Sequence, residues 1–399
     1  MVSKRLKTVP ASPIRKLVPY ALKAKKAGVE VHHLNIGDPD VHTPRVMINA
    51  LRKWDINPIG YEHSQGNLGL LRAMKSYYHS LGYKFIKKKH LQVTVGGSEA
   101  ISMAMFAVTN PGDEILVFEP FYANYNTFAA YSEIRLKPVK TDISNGFHLP
   151  TRKEIEKKIT SRTKAILICS PNNPTGTVYT EKEIEMLVSI AKKHKLYILS
   201  DEVYREFVYD GIKHISLMPY MKKYPEQIII LDSLSKRYSL CGARIGVLVS
   251  MSQDIMCGVL KLAQGRLSAG IIDQVMASNL TKVSTNYYKK VNSEYDNRRN
   301  VLYDGLKDIP GVDVPKPEGA FYVVASLPVK DAEEFCIWLL TEFRHKGETV
   351  MLAPAEGFYA SPGMGKNEVR IAYVLCVSKI KRCITILRKA LEEYKEVKR

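Results

Sequence analysis

Ser233-Leu-Ser-Lys236-Arg-Tyr-Ser-Leu-Cys-Gly-Ala-Arg244-Ile-Gly246 follows directly on the apolar run Ile228-Ile-Ile-Leu231 and the aspartate Asp232. Such a run reads as a buried strand, because consecutive β-branched residues favour an extended chain covered on both faces. The stretch therefore holds a lysine just past a strand end, with two serine hydroxyls near it and an arginine eight positions later. A lysine fixed among hydroxyls and a guanidinium can form a Schiff base beside a bound phosphate. Ser-x-Ser-Lys alone reads equally well as a solvated surface charge, since lysine is mostly exposed. The upstream segments separate the two.

Ser170-Pro-Asn-Asn173-Pro-Thr-Gly176 follows the apolar run Ala165-Ile-Leu-Ile-Cys169, and Asp201-Glu-Val-Tyr204 follows Leu196-Tyr-Ile-Leu199. Polar residues at the ends of short β-branched runs are where an open α/β sheet presents its ligand crevice. Asn173-Pro-Thr-Gly is by itself a plain turn, and Asp201 by itself a helix cap. Their order ahead of Lys236 favours one shared site. Together the segments resemble the fold-type I pyridoxal-phosphate enzymes, specifically the class I/II aminotransferases of the aspartate aminotransferase type. The resemblance runs from Asn35-Ile-Gly-Asp-Pro39 to Val369-Arg-Ile-Ala-Tyr373.

The chain has 399 residues, enough for a large core and two domains. Its hydrophobic content of 45% and charged content of 25% are ordinary for a globular protein. No apolar run approaches the roughly 20 residues that span a bilayer, and the basic start Met-Val-Ser-Lys-Arg-Leu-Lys lacks a following apolar signal core. Six scattered cysteines without a Cys-x-x-Cys argue against a metal site or disulfide framework and suit a reducing compartment. A cytoplasmic protein is expected, with no membrane partner. The net charge of +19 is dispersed over short clusters such as Lys87–Lys89 and Lys192–Lys195. These read as solvated faces, so no specific nucleic-acid partner is expected.

Apolar runs alternate with helical patterns through the middle: Leu91–Val95, Glu114–Phe118, Ile134–Val139, Ala165–Cys169, Tyr197–Leu199, Ile228–Leu231 and Gly246–Val249. That alternation predicts an α/β fold with a mostly parallel sheet between helices. Thr180-Glu-Lys-Glu183 predicts a capping box opening a helix to about Lys193. Past about residue 285 the pattern changes to a polar-faced helix over Tyr287–Leu306, a strand in Gly319–Val324, a helix near Asp331–Lys346 and a last helix from Val377. A large cofactor-binding domain over 45–285 is expected, with 1–44 and 286–399 forming a smaller α+β domain; the resemblance supplies the joining of the N-terminal segment to it.

The resemblance implies a site for pyridoxal 5'-phosphate. Lys236 carries the Schiff base and moves the proton; Asp201 faces the pyridine nitrogen; Tyr204 and Asn173 address the ring hydroxyl; Tyr122 stacks on the ring, with Phe121 as the competing assignment. Val95-Gly-Gly97-Ser98-Glu99 follows a strand and opens a helix, an anion-holding arrangement. Gly97, Ser98 and Glu99 therefore join Ser233, Ser235 and Arg244 around the phosphate, and Tyr61 reaches it from the second subunit of a homodimer. Arg370, with Asn173 and Gly37, takes the substrate carboxylate. A dicarboxylate substrate needs a further cation, for which Arg266 is the candidate and a surface or interface arginine the alternative. Glu356 lines the pocket or caps a loop. The activity implied is amino-group transfer between an amino acid and a 2-oxo acid, first aspartate with 2-oxoglutarate. An alanine- or aromatic-preferring transaminase or a β-lyase of the same fold is the alternative. A non-catalytic sensor is disfavoured, because about 35 residues precede Gly37, too few for a DNA-binding domain.

Overall fold

The computed structural model describes residues 2–397. Its strands are β1 (Glu30–His33), β2 (Leu91–Val95), β3 (Glu114–Glu119), β4 (Arg135–Lys140), β5 (Thr163–Cys169) and β6 (Tyr197–Asp201). They continue with β7 (Ile228–Ser233), β8 (Ile245–Ser250), β9 (Tyr322–Ser326), β10 (Glu348–Met351), β11 (Ala353–Pro354) and β12 (Glu368–Ala372). The central sheet has the order β2-β8-β7-β6-β5-β3-β4. Its strands are parallel from β7 through β4, and β8 runs antiparallel to both neighbours. The Leu234–Arg244 connection explains the reversal: it is shorter than the dozen or so residues that a parallel crossover needs.

Successive residues of these strands feed opposite cores. Ile228 and Ile230 join Ile166, Ile168 and Ile198 under the helices Leu68–Ser80 and Glu181–His194. Ile229 and Leu231 join Leu167 and Leu199 under Gly96–Val108 and Gln253–Gly265. With both faces covered, every position along a strand can be apolar, which is why the runs show no alternation. The Thr180–Glu183 capping box forms as expected.

A third core combines Leu17 and Leu34 with Tyr295, Leu302, Phe321, Ile371, Ile380 and Leu387. Around it β9, β12 and β11 form an antiparallel sheet, while β1 pairs in parallel with β10. The helix expected near Asp331–Lys346 is shorter, Ala332–Thr341. Past it the chain turns through Gly347, at φ +80°, into β10. The helix closes where the Glu342 and Phe343 N–H groups both bond the Trp338 carbonyl, and β10 then pairs with β1, over 300 residues away in sequence. Among the described residues no helix is long and apolar enough to cross a membrane.

Candidate active site

The C-terminal ends of β2, β5, β6 and β7 meet the start of β8 along one edge of the sheet. Cys169 pairs with Asp201, Asp201 with Leu231, Ser233 with Gly246, and Val95 with Ile245. A cavity of about 670 Å³ opens over this edge. Lys236, Asp201, Tyr204, Asn173 and Tyr122 line it, as do Gly97, Ser98, Ser233, Ser235 and Arg244. Gly37 and Arg370 reach it from the elements around the third core.

Ser233 caps the single turn Leu234–Arg237: its Oγ accepts the Ser235 N–H at 3.2 Å and lies 3.1 Å from the Ile245 carbonyl. That turn carries Lys236, whose Nζ donates to the Gly37 carbonyl at 2.9 Å and lies 3.5 Å from Cys241 Sγ. Asp201 ends β6 and is buried; its carboxylate accepts from the Tyr125 hydroxyl at 2.7 Å and the Val203 N–H at 3.4 Å. Burial pushes its pKa up to about 6. No cation pairs with Asp201 among the described residues. A buried carboxylate in that position is complemented by a protonated ring nitrogen.

Arg370 is fully buried on β12. It donates to Asn173 Oδ1 at 3.1 Å and to the Asn35 carbonyl at 2.6 Å, and its guanidinium lies over the Tyr322 and Phe358 rings. Burial lowers its pKa, its Nε has no partner, and no carboxylate neutralises it among the described residues. An incoming carboxylate would supply both charge and acceptors. Tyr204 is buried, and its hydroxyl shares a 3.1 Å bond with that of Tyr322.

At the other end the helix Gly96–Val108 starts directly after β2. The first N–H groups of a helix lack intrahelical acceptors. That of Val95 is taken by Glu99 Oε2 at 2.7 Å, leaving those of Gly96, Gly97 and Ser98. The Arg244 guanidinium packs so closely on Gly96 that a Cβ there would stand 2.4 Å from its Nη2. Gly246 likewise presses on the Gly96 backbone, 2.4 Å from where a Cβ would sit. Only glycines let the helix start, Arg244 and β8 converge. A helix N-terminus, an arginine and the Ser233 and Ser235 hydroxyls together suit a phosphate.

The sequence matches the family described as aminotransferase class I and II over residues 29–385. The chain belongs to the class I and II aminotransferases. It is 30% identical over 400 residues to the aspartate aminotransferase of Pyrococcus horikoshii, covering 98% of this chain and 97% of that one. It is 31% identical over 408 residues to aromatic-amino-acid aminotransferase 2 of Thermococcus litoralis, covering 99% and 100%. The fold superposes on the alanine aminotransferase from Pyrococcus furiosus with a TM-score of 0.89 at 29% identity, covering 98% and 100%. Class I and II aminotransferases depend on pyridoxal phosphate. The unpaired buried carboxylate of Asp201, the Lys236 amine and the anion cup at Gly96–Ser98 fit that cofactor.

Two residues expected at the site of this aminotransferase, Glu99 and Arg266, lie outside the cavity. Glu99 does not line the cavity: its carboxylate bonds Val95 N–H and pairs with Arg266 Nε at 3.0 Å. A carboxylate facing a phosphate would repel it, and the arginine draws it away. Arg266 is correspondingly outside the cavity, held by Glu99 and by the Val93 carbonyl at 2.8 Å. Tyr61 is 84% exposed and does not line the cavity of its own chain. Glu356 is exposed in a loop turn outside it. Phe121 packs in the core against Tyr125, and Tyr122 takes the cavity wall. Arg15, Asp38, Val203 and Tyr322 line the cavity without having been singled out. For Tyr322 a signal existed: a phenol inside the apolar strand Phe321-Tyr-Val-Val324 needs a buried partner.

Proposed function

We propose that the protein is a homodimeric, cytoplasmic aminotransferase whose cofactor is held by Lys236, with aspartate and 2-oxoglutarate as its first substrate pair. The observation that supports this site assignment is the convergence of Lys236, Asp201 and Arg370 on one cavity. Pyridoxal phosphate, when bound, supplies a carbonyl that condenses with amines and a ring that withdraws electron density from the substrate Cα.

The residues have separate tasks in this scheme. Arg370 takes the substrate α-carboxylate, and its bond to Asn173 Oδ1 orients the fork. Lys236, whose Nζ donates to the Gly37 carbonyl, would attach the cofactor and, once freed, would accept the substrate Cα proton on Nζ and hand it back. Asp201, buried with no cation beside it, would face the ring nitrogen and favour a proton there. Tyr204 and Asn173 would address the ring hydroxyl, and Tyr122 on the cavity wall would cover the ring. The N–H groups of Gly97 and Ser98, the Ser233 and Ser235 hydroxyls, and Arg244 hold the phosphate. Segments 1–44 and 286–399 form a domain distinct from 45–285, and its movement brings Gly37 over the substrate.

Tyr61 of the partner subunit completes the phosphate cup. In support, Ile56, Ile59 and Tyr61 are exposed on one loop, with Leu68 exposed at the start of the helix that follows. The loop packs on the segment bearing exposed Leu267 and Ile272, through Glu62 N–H to Ser268 and Asn67 N–H to Gln274. An exposed apolar surface of this kind needs a cover.

The test is a panel of amino donors offered to purified protein. Transamination consumes the donor and releases its 2-oxo acid in equal amount, whereas β-elimination yields pyruvate and ammonia. Sedimentation as a monomer would remove the assignment of Tyr61.

A further inference from the structure

Four cationic side chains line the cavity: Arg15, Lys236, Arg244 and Arg370. The last three have tasks in the proposed reaction, and Arg15 has none. Its side chain is exposed, and it forms no ion pair or hydrogen bond among the described residues. The two acids lining the cavity, Asp38 and Asp201, do not pair with it. Arg266, the other candidate for a further cation, is held outside by Glu99.

The backbone that presents Arg15 is pinned on every side. Arg15 N–H and Lys16 N–H both donate to the Ser12 carbonyl, at 3.1 and 3.0 Å, closing a turn. Pro13 packs on Gly357 so closely that a Cβ there would stand 2.7 Å from it. Lys16 pairs with Glu333, and Leu17 is 1% exposed in the third core. Most telling is Asn35. Its side-chain amide donates to the Ile14 carbonyl at 2.9 Å, next to Arg15, and its own carbonyl accepts from Arg370 at 2.6 Å. One residue thereby sets the turn bearing Arg15 against the guanidinium of Arg370.

Resting on the aminotransferase reading above, we infer that Arg15 binds the distal carboxylate of a dicarboxylic amino or 2-oxo acid whose α-carboxylate is on Arg370. Two guanidiniums lining one cavity complement two carboxylates joined by a short carbon chain. Ile14 and Ile36, which line the same cavity, give that chain an apolar wall. The planar fork of Arg15 makes two bonds to one carboxylate, so the rotamer freedom lost is spread over two hydrogen bonds. A monocarboxylic substrate such as alanine engages Arg370 and leaves Arg15 in water. Arg15 therefore governs preference between the two classes.

The experiment uses the full-length, cofactor-loaded enzyme and the variants Arg15→Gln and Arg15→Lys. Calorimetry gives the Kd of succinate and of propionate, which differ by the second carboxylate and carry no amino group to react. Rates give kcat/KM for aspartate and for alanine. Wild type should bind succinate tighter than propionate. Arg15→Gln should lower the succinate preference, and the aspartate-to-alanine ratio of kcat/KM, tenfold or more, with Arg15→Lys retaining part of each. A smaller change in either ratio, or no succinate preference in wild type, overturns the assignment. An enzyme that turns over no amino acid yet shows the succinate effect leaves Arg15 as a dicarboxylate reader and sinks the aminotransferase reading instead.

Discussion

The guanidinium of Arg237 donates through Nη2 to both carboxylate oxygens of Asp232, at 2.8 and 3.1 Å, with both side chains wholly buried. These residues are the chain neighbours of Lys236 and Ser233. The pattern extends: Arg205, next to Tyr204, pairs at 3.0 Å with Glu202, next to Asp201, and approaches Asp232 at 3.8 Å. Burial would raise the Glu202 carboxyl, but Arg205 and His214 hold it at about 2. Tyr78 donates to Asp232 at 2.9 Å, and Glu206 pairs with Arg237 at 2.6 Å. Each cavity side chain on β6 and β7 thus has a neighbour tied into one ionic network behind the sheet edge.

Removing one member leaves a buried charge uncompensated, which costs about 3–5 kcal/mol. Asp232→Ala should lose about that much in urea unfolding. Asp232→Ala with Arg237→Met should recover part of it, because the orphaned charge leaves with its partner.

Borohydride reduction of the loaded enzyme should attach the cofactor at Lys236, read by peptide mapping. A label on any other lysine overturns the site. Lys236→Ala should still take up cofactor while transamination falls at least a thousandfold, since both the attachment point and the proton carrier are gone.

Asp201 predicts a pH dependence of the cofactor-free protein. A carboxyl raised in the folded state keeps its proton where the unfolded chain has lost it. The contribution of Asp201 to stability is therefore fullest below the ordinary carboxylate range and is lost as pH rises to about 6. Asp201→Asn removes that loss: at pH 8 it should be more stable than wild type by on the order of 3 kcal/mol, and at pH 5 by roughly half of that. In the loaded enzyme the same variant should lose over a hundredfold in kcat. Parallel melting curves at the two pH values would contradict the first expectation, and near-normal turnover would reduce Asp201 to a strand-end cap.

Arg266→Ala should act on stability alone. Its pair with Glu99 and its bond to Val93 are partly buried, so unfolding free energy should drop by about 1–2 kcal/mol. The aspartate-to-alanine ratio of kcat/KM should stay within threefold; a larger shift would return Arg266 to the substrate.

Much of the sheet was legible because its signal is local. Ile228–Leu231 and Ala165–Cys169 are apolar at every position, and a strand covered on both faces needs nothing beyond that. The polar segments Asp201–Tyr204 and Ser233–Lys236 stand out because they interrupt apolar runs at strand ends, and the chain has nowhere to put them except the crevice. Aminotransferase class was readable from the order of those segments. The antiparallel β8 followed from a short connection, but only the register with β2 and β7 displayed it. Tertiary structure alone decided which charges face the cavity. Neither Arg266, between Gly265 and Leu267, nor Arg15, between Ile14 and Lys16, has a carboxylate near it in sequence. Glu99, 167 positions away, takes the first out of the pocket, and Asn35, bonded to Ile14 and Arg370 at once, sets the second at its edge. Whether a guanidinium meets a carboxylate depends on what folding brings within reach, and that encounter is written in no local stretch of chain.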